Sequence, residues 1–196
     1  MIWLAINILF SLGFFQVLRL TQHIKGNVVF VGWLNYQLAG ACFLVPFLLR
    51  RSDITDWTVF FMGMMSGTLY VTNFYLLSAL MRQIGVGLSS ATMMLAVALP
   101  VIISILLGDP WKDKAAGLCL AIVALPMLMA ARTELSSATP SARGIKRAAW
   151  VVFFFFTIGA ELVLIKLARD IGGTGFERSY LPALFGTAAI VATPSL

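Results

Sequence analysis

Glu161 is the residue of this sequence best suited to chemistry. It lies 11 residues past Trp150, near the middle of an apolar run. A carboxyl group isolated in hydrocarbon is either protonated or paired, because burying its bare charge is costly. Lys166, five residues on, sits on the wrong side of a helix to be a close partner. A proton-coupling carboxylate and a partner from another helix are therefore both open. So is a shallower position, if the helix starts after Val152.

Two further polar pairs have helical spacing. Tyr70 and Asn73 are three apart, so they share a face. An amide and a phenol on one face can orient a polar metabolite without a fixed charge, or can simply bond to a neighbouring helix. Asn35, Tyr36 and Gln37 are consecutive, and consecutive helical residues point about 100° apart. They cannot all face one cavity, and Asn35 and Tyr36 are the better pair because Leu34 and Leu38 flank them in lipid-compatible positions. Hydrogen bonding at the interface near Trp33 is the alternative for them.

Gln16 and Arg19 are also three apart, and Arg19 is expected to snorkel to the interface. Ser89, Ser90 and Thr92 can bond back to the preceding helical turn, as packing residues beside a cavity. Asp109, next to Lys112, reads as a helix cap or a surface ion pair rather than a ligand. The candidate substrate-binding residues are thus Gln16, Asn35, Tyr36, Tyr70, Asn73, Ser89 and Glu161.

Positioning these groups falls to membrane helices. The chain is 60% hydrophobic and only 11% charged, where soluble domains run at about 25% charged. Apolar runs cover 2–19, 29–49, 57–81, 85–107, 114–131, 148–168 and 181–196. They are continuous over transmembrane length rather than alternating over ~10 residues, so they predict helices and not a barrel. Trp3, Trp33, Trp57, Trp111 and Trp150 lie near the proposed boundaries, where an amphipathic ring belongs. The Lys and Arg of the loops divide seven against seven, so charge leaves the orientation open. A net charge of +6 is spread between apolar runs, not gathered in a patch, which argues against nucleic acid.

The run 85–107 joins a Gly/Ser start to Pro100, a plausible flexing point. Gly63 and Gly67 form a GxxxG, and Gly117, Ala121 and Ala124 a small-residue stripe, both suited to close helix packing. Cys42 and Cys119 read as small buried hydrophobes. His23 is the single histidine, and no GxSxG, HExxH or Walker A pattern occurs. No enzyme, cofactor or metal site is expected.

The segment 132–147 is the longest connector and the only Ser/Thr/Pro-rich one, as a linker between halves would be. Laying 10–46 on 157–194 at a shift of 147 pairs Arg19 with Lys166, Gly26 with Gly173 and Ala41 with Ala188. A shift of 148 pairs Pro46 with Pro194. The expected organisation is a first five-helix unit over 1–131, a linker over 132–147 and the start of a second unit over 148–196. A second unit that stops inside an apolar run points to a longer protein of twice five helices, with a seven-helix protein as the alternative.

In this arrangement the chain resembles the drug/metabolite transporter superfamily, in its EamA-type ten-helix branch. Asn73-Phe74-Tyr75 with Ser78-Ala79-Leu80 is similar to the end of that family's third helix. Gly87–Ala91 resembles the start of the fourth, with Pro100 as its proline and Gly117 as the glycine opening the fifth. The sequence departs at Gly108-Asp109, where the family more often has Glu. The resemblance covers 1–131 well and 148–196 loosely. It implies an all-α integral membrane bundle of inverted five-helix repeats and a secondary carrier, most simply an efflux carrier, for a small metabolite or drug-like compound. The binding site would lie near the midplane, lined by the first, third, fourth and sixth runs. The implied setting is a bacterial inner membrane, with the N-terminus in the cytoplasm. Expected partners are a small-molecule substrate and the lipid bilayer; a homodimer is compatible with the sequence. A non-transporting membrane assembly subunit is the main alternative function, and a channel a lesser one.

Overall fold

The structure, a computed structural model, describes residues 26–49, 56–108 and 142–193, with isolated positions at 13, 16, 17, 20, 21, 23, 24, 54 and 123, and only the backbone of 142–147. The runs 2–19 and 114–131 touch the described residues at isolated positions only, so the five-helix unit they would complete is described only in part, and Arg19, Asp109 and Cys119 lie outside the described residues.

Helix α1 spans Val28–Leu49. It starts there because Asn27 Oδ1 accepts from the amides of Val29 and Phe30, at 3.0 and 3.2 Å, satisfying donors that the first turn leaves free. Helix α2 spans Trp57–Ile84. Its cap is Asp56, whose Oδ1 accepts from Thr58 N at 2.7 Å and Val59 N at 3.3 Å. It ends at Gly85, with φ +85°, a backbone region that disfavours a side chain. Replacing Asp56 by Ala removes both capping bonds. We expect a loss of about 1 kcal/mol in unfolding free energy, read from denaturant titration in micelles.

The run 85–107 is not one uninterrupted helix. It forms α3, Val86–Leu95, and α4, Ala98–Leu106, with a turn at Ala96-Val97. The cause lies in Pro100. A proline ring has no N–H and crowds the carbonyl four residues back, which here belongs to Ala96. That carbonyl instead accepts from Leu99 N at 3.1 Å, in a tighter turn.

Helix α5 runs over Ala142–Gly172, a 3-10 turn over Gly173–Gly175, and α6 over Phe176–Ala192. The backbone at 142–147, within the expected linker, is thus already helical. The reversal between α5 and α6 uses Gly173, at φ +51°. The last helix begins at Phe176, five residues before the apolar run at 181, because Phe176 and Tyr180 stack at 4.7 Å and bury its first turns.

All regular elements among the described residues are helical. Three stretches are long and apolar enough to cross a membrane: Val28–Leu49, Val86–Leu106 and Ala148–Ala192, the last comprising most of α5 and all of α6. They suggest a multi-pass integral membrane protein. The outward sides fit that reading, with Leu34, Leu38, Leu48, Phe153 and Phe156 exposed. So is Cys42, contrary to the buried position expected for it. A thiol is apolar enough that hydrocarbon outside the bundle serves as well as a core.

Helix α2 is the centre. It packs against α5 on one side and α6 on the other; α1 lies on α6, and α3 with α4 on α5. This position explains its composition. Ser66, Asn73 and Ser78 are buried within it, facing protein rather than lipid. The GxxxG packs as expected: a Cβ on Gly63 would stand 2.7 Å from the Tyr180 carbonyl, and one on Gly67 would collide with the Leu184 carbonyl. Gly40 of α1 meets α6 in the same way, at Ala189 Cβ and the Phe185 carbonyl.

Candidate functional site

The side chains that could do chemistry converge between α1, α2, the α3–α4 break and α5. Asn73 comes from the middle of α2 and Glu161 from α5, 11 residues before Gly172. Asn73 Nδ2 donates to Glu161 Oε2 at 2.6 Å. Both side chains are 6% exposed, so the bond is made in an apolar interior. A hydrogen bond to an acidic group in such surroundings is stronger than one in water. The other end of the amide, Asn73 Oδ1, is buried with no partner. A lone buried acceptor costs free energy, and it is a natural place for a ligand donor or a water.

Tyr36 enters from α1. It is 2% exposed, and its hydroxyl donates to the Tyr70 carbonyl at 3.2 Å. Its ring meets Tyr70 and Phe74 edge-on, with centroids 5.7 and 5.8 Å away. Gly32 makes room for this cluster, since a Cβ there would collide with the Phe74 ring. Replacing Tyr36 by Phe keeps the ring and deletes one bond. The expected loss is about 1 kcal/mol of stability in micelles, with the aromatic packing retained.

Together these groups line a cavity of about 310 Å³, closed by Leu77, Met93, Val97, Phe154 and Ile158 among others. That is the low end of the size range of small-molecule sites, which are mostly apolar with a few convergent polar groups. The cavity borders the turn at Ala96-Val97, where Met93, Met94 and Val97 line it.

Five of the seven residues singled out by sequence line this one cavity: Asn35, Tyr36, Tyr70, Asn73 and Glu161. Asn35 stands at its exposed edge. Gln37 turns away, as helical geometry requires, and donates to the Ala189 carbonyl of α6 at 2.8 Å. Ser89 is fully buried but does not line the cavity; its hydroxyl donates to the Gly85 carbonyl at 2.8 Å. Thr92 bonds back to Leu88 at the same distance. Gln16 is exposed and not part of the lining. Lys166 pairs with Asp170 at 2.7 Å, one turn on. The lining comes from the second, third, fourth and sixth apolar runs, so the second joins those expected.

The apolar half of the lining had not been singled out. A signal for it exists in α5, where Phe154, Ile158, Glu161 and Ile165 follow i, i+4, i+7, i+11 spacing and so share the face of the carboxyl group. Met93 and Met94 carried none, because their role depends on the turn that follows them.

Comparison with family models, with curated proteins and with solved structures returns no match to this chain.

Proposed function

We propose that this chain is the substrate-binding part of a secondary carrier that moves a small amphipathic compound across a membrane by alternating access. The observation that carries the reading is a carboxyl group buried in hydrocarbon surroundings at the wall of a ligand-sized cavity. Ionisable groups inside membrane helices are rare and are by default functional. A structural role alone would be met by a neutral pair at lower cost. The turn at Ala96-Val97 supplies a point where the cavity wall can bend, as an alternating mechanism needs.

The resemblance to the EamA-type branch of the drug/metabolite transporters supports the same reading. On it, the protein is an inverted pair of five-helix units in a bacterial inner membrane, working in the direction of efflux. Glu161 is the coupling carboxylate, exchanging a proton as the cavity changes sides. Tyr36, Tyr70 and Asn73 orient the substrate.

Reconstitution into proteoliposomes tests this. Uptake of a substrate, found by screening amphipathic metabolites, is expected to rise when a pH gradient is imposed. Flux equal to that of protein-free vesicles across the screen would overturn the carrier and leave a non-transporting membrane subunit.

A further inference from the structure

The polar groups of the cavity are unevenly matched. Glu161 offers an acidic acceptor, and Asn73 Oδ1 a second acceptor that is buried and unused. Asn73 Nδ2 and the Tyr36 hydroxyl are already committed, to Glu161 and to the Tyr70 carbonyl, while Asn35 at the exposed edge and the Tyr70 hydroxyl are the other donors of the lining. No Lys, Arg or His is among the described lining residues. The buried groups left to a guest are thus acceptors, which suit a donor-rich cation. Most of the rest of the lining is hydrocarbon and aromatic, with Tyr36, Tyr70 and Phe74 among it, and aromatic rings are favourable neighbours for positive charge.

We infer that the cavity binds a primary or secondary organic ammonium with an apolar body, its N–H groups shared between Glu161 and Asn73 Oδ1. Substrate class is what this adds, and it rests on the carrier reading for transport but not for binding. Two acceptors from two helices, α2 and α5, require at least two N–H donors on one nitrogen. A quaternary ammonium has none and would leave Asn73 Oδ1 unpaired. Sites built around hydrogen bonds reject analogues that lack them. An amino acid fits less well, since its carboxylate would enter beside Glu161 with no Lys, Arg or His among the described lining residues to receive it. A volume of about 310 Å³ limits the guest to a small molecule.

The test uses 2-phenylethylamine and three close relatives. They are 2-phenylethanol, which is neutral; phenylalanine, which adds a carboxylate; and the N,N,N-trimethyl derivative, which keeps the charge and loses the donors. Binding to the full chain in lipid nanodiscs is measured by calorimetry. The amine is expected to bind at least about tenfold more tightly than each of the three, a preference that Glu161→Gln removes. Binding of any relative within tenfold of the amine, or no binding of the amine, overturns the inference. Because the comparison is made on the wild-type protein, it stands even if a variant fails to fold. Flux of the same compounds in proteoliposomes then separates the two readings. Selective binding without flux supports the amine site and overturns the carrier. Flux with no preference for the amine supports the carrier and overturns the amine site.

Discussion

Glu161→Gln is expected to abolish flux driven by a pH gradient, by about tenfold or more, while leaving the protein at least as stable. The two halves of this result have separate causes. A glutamine cannot take up and release a proton, so coupled transport falls to the leak. Its carbonyl can still accept from Asn73 Nδ2, as Glu161 Oε2 does at 2.6 Å. Its new amide hydrogens face the neighbourhood of Asn73 Oδ1, which is buried without a partner. An acidic group in hydrocarbon surroundings is thus replaced by a neutral one with more bonds available, a change that is often neutral or stabilising. Glu161→Ala should behave differently. It strands both polar ends of Asn73, at about 1–3 kcal/mol for each buried group left unpaired. Proteoliposome uptake with and without a pH gradient, beside thermal unfolding in micelles, checks all three proteins. Equal gradient-driven flux in wild type and Glu161→Gln would remove the coupling role.

Gly67→Leu is expected to give the largest loss of stability among single changes in the bundle. The reason is what a side chain there would meet: the Leu184 carbonyl, Thr187 Cβ at 3.0 Å and Ala188 N at 3.2 Å. Two of these are backbone atoms of α6, and they can yield only if the whole helix moves. Overpacking of this kind costs about 1–3 kcal/mol, and more where nothing can relax. In a membrane the cost is harder to recover, because lipid tails solvate an apolar helix as well as another helix does, and association rests on close packing. Gly87→Ala is the control. It lies in α3, and a Cβ there meets nothing within 4 Å. The helix preference for Ala over Gly makes it neutral or mildly stabilising, by up to about 1 kcal/mol. Unfolding by a graded increase in denaturing detergent should order the proteins as Gly87→Ala, wild type, Gly67→Leu. A Gly67→Leu protein as stable as wild type would mean that α6 does not sit against this glycine.

The interior of the bundle was partly legible beforehand. The GxxxG of α2 identified a close-packing face, and three-residue spacing put Tyr70 and Asn73 on one side of their helix. Both are properties of a single helix, set by its 3.6-residue period. The turn at Ala96-Val97 was half legible. Pro100 announced a disturbance, and steric crowding of the Ala96 carbonyl moved the break one turn towards the N-terminus. Ser89 shows where residue type alone leaves a place in the site open. A polar side chain in an apolar run must satisfy itself somehow, and Ser89 does so on the backbone of its own helix, at Gly85. Nothing local distinguishes that outcome from a place in a cavity wall.

By itself the sequence determined that the chain is helical, with stretches long and apolar enough to cross a membrane, because hydropathy over a helix length is a local sum that needs no partner. It also singled out the polar groups that are costly to place inside an apolar run, Glu161 first among them. Only the tertiary structure decided that Glu161 meets Asn73, 88 residues away along the chain. It alone decided that Asn35, Tyr36 and Tyr70 face the same space while Gln37 turns to α6. A helical period states which residues share a face, but not which faces meet. That choice belongs to packing between helices, and here it was made by the glycines that let α1 and α6 close upon their neighbours.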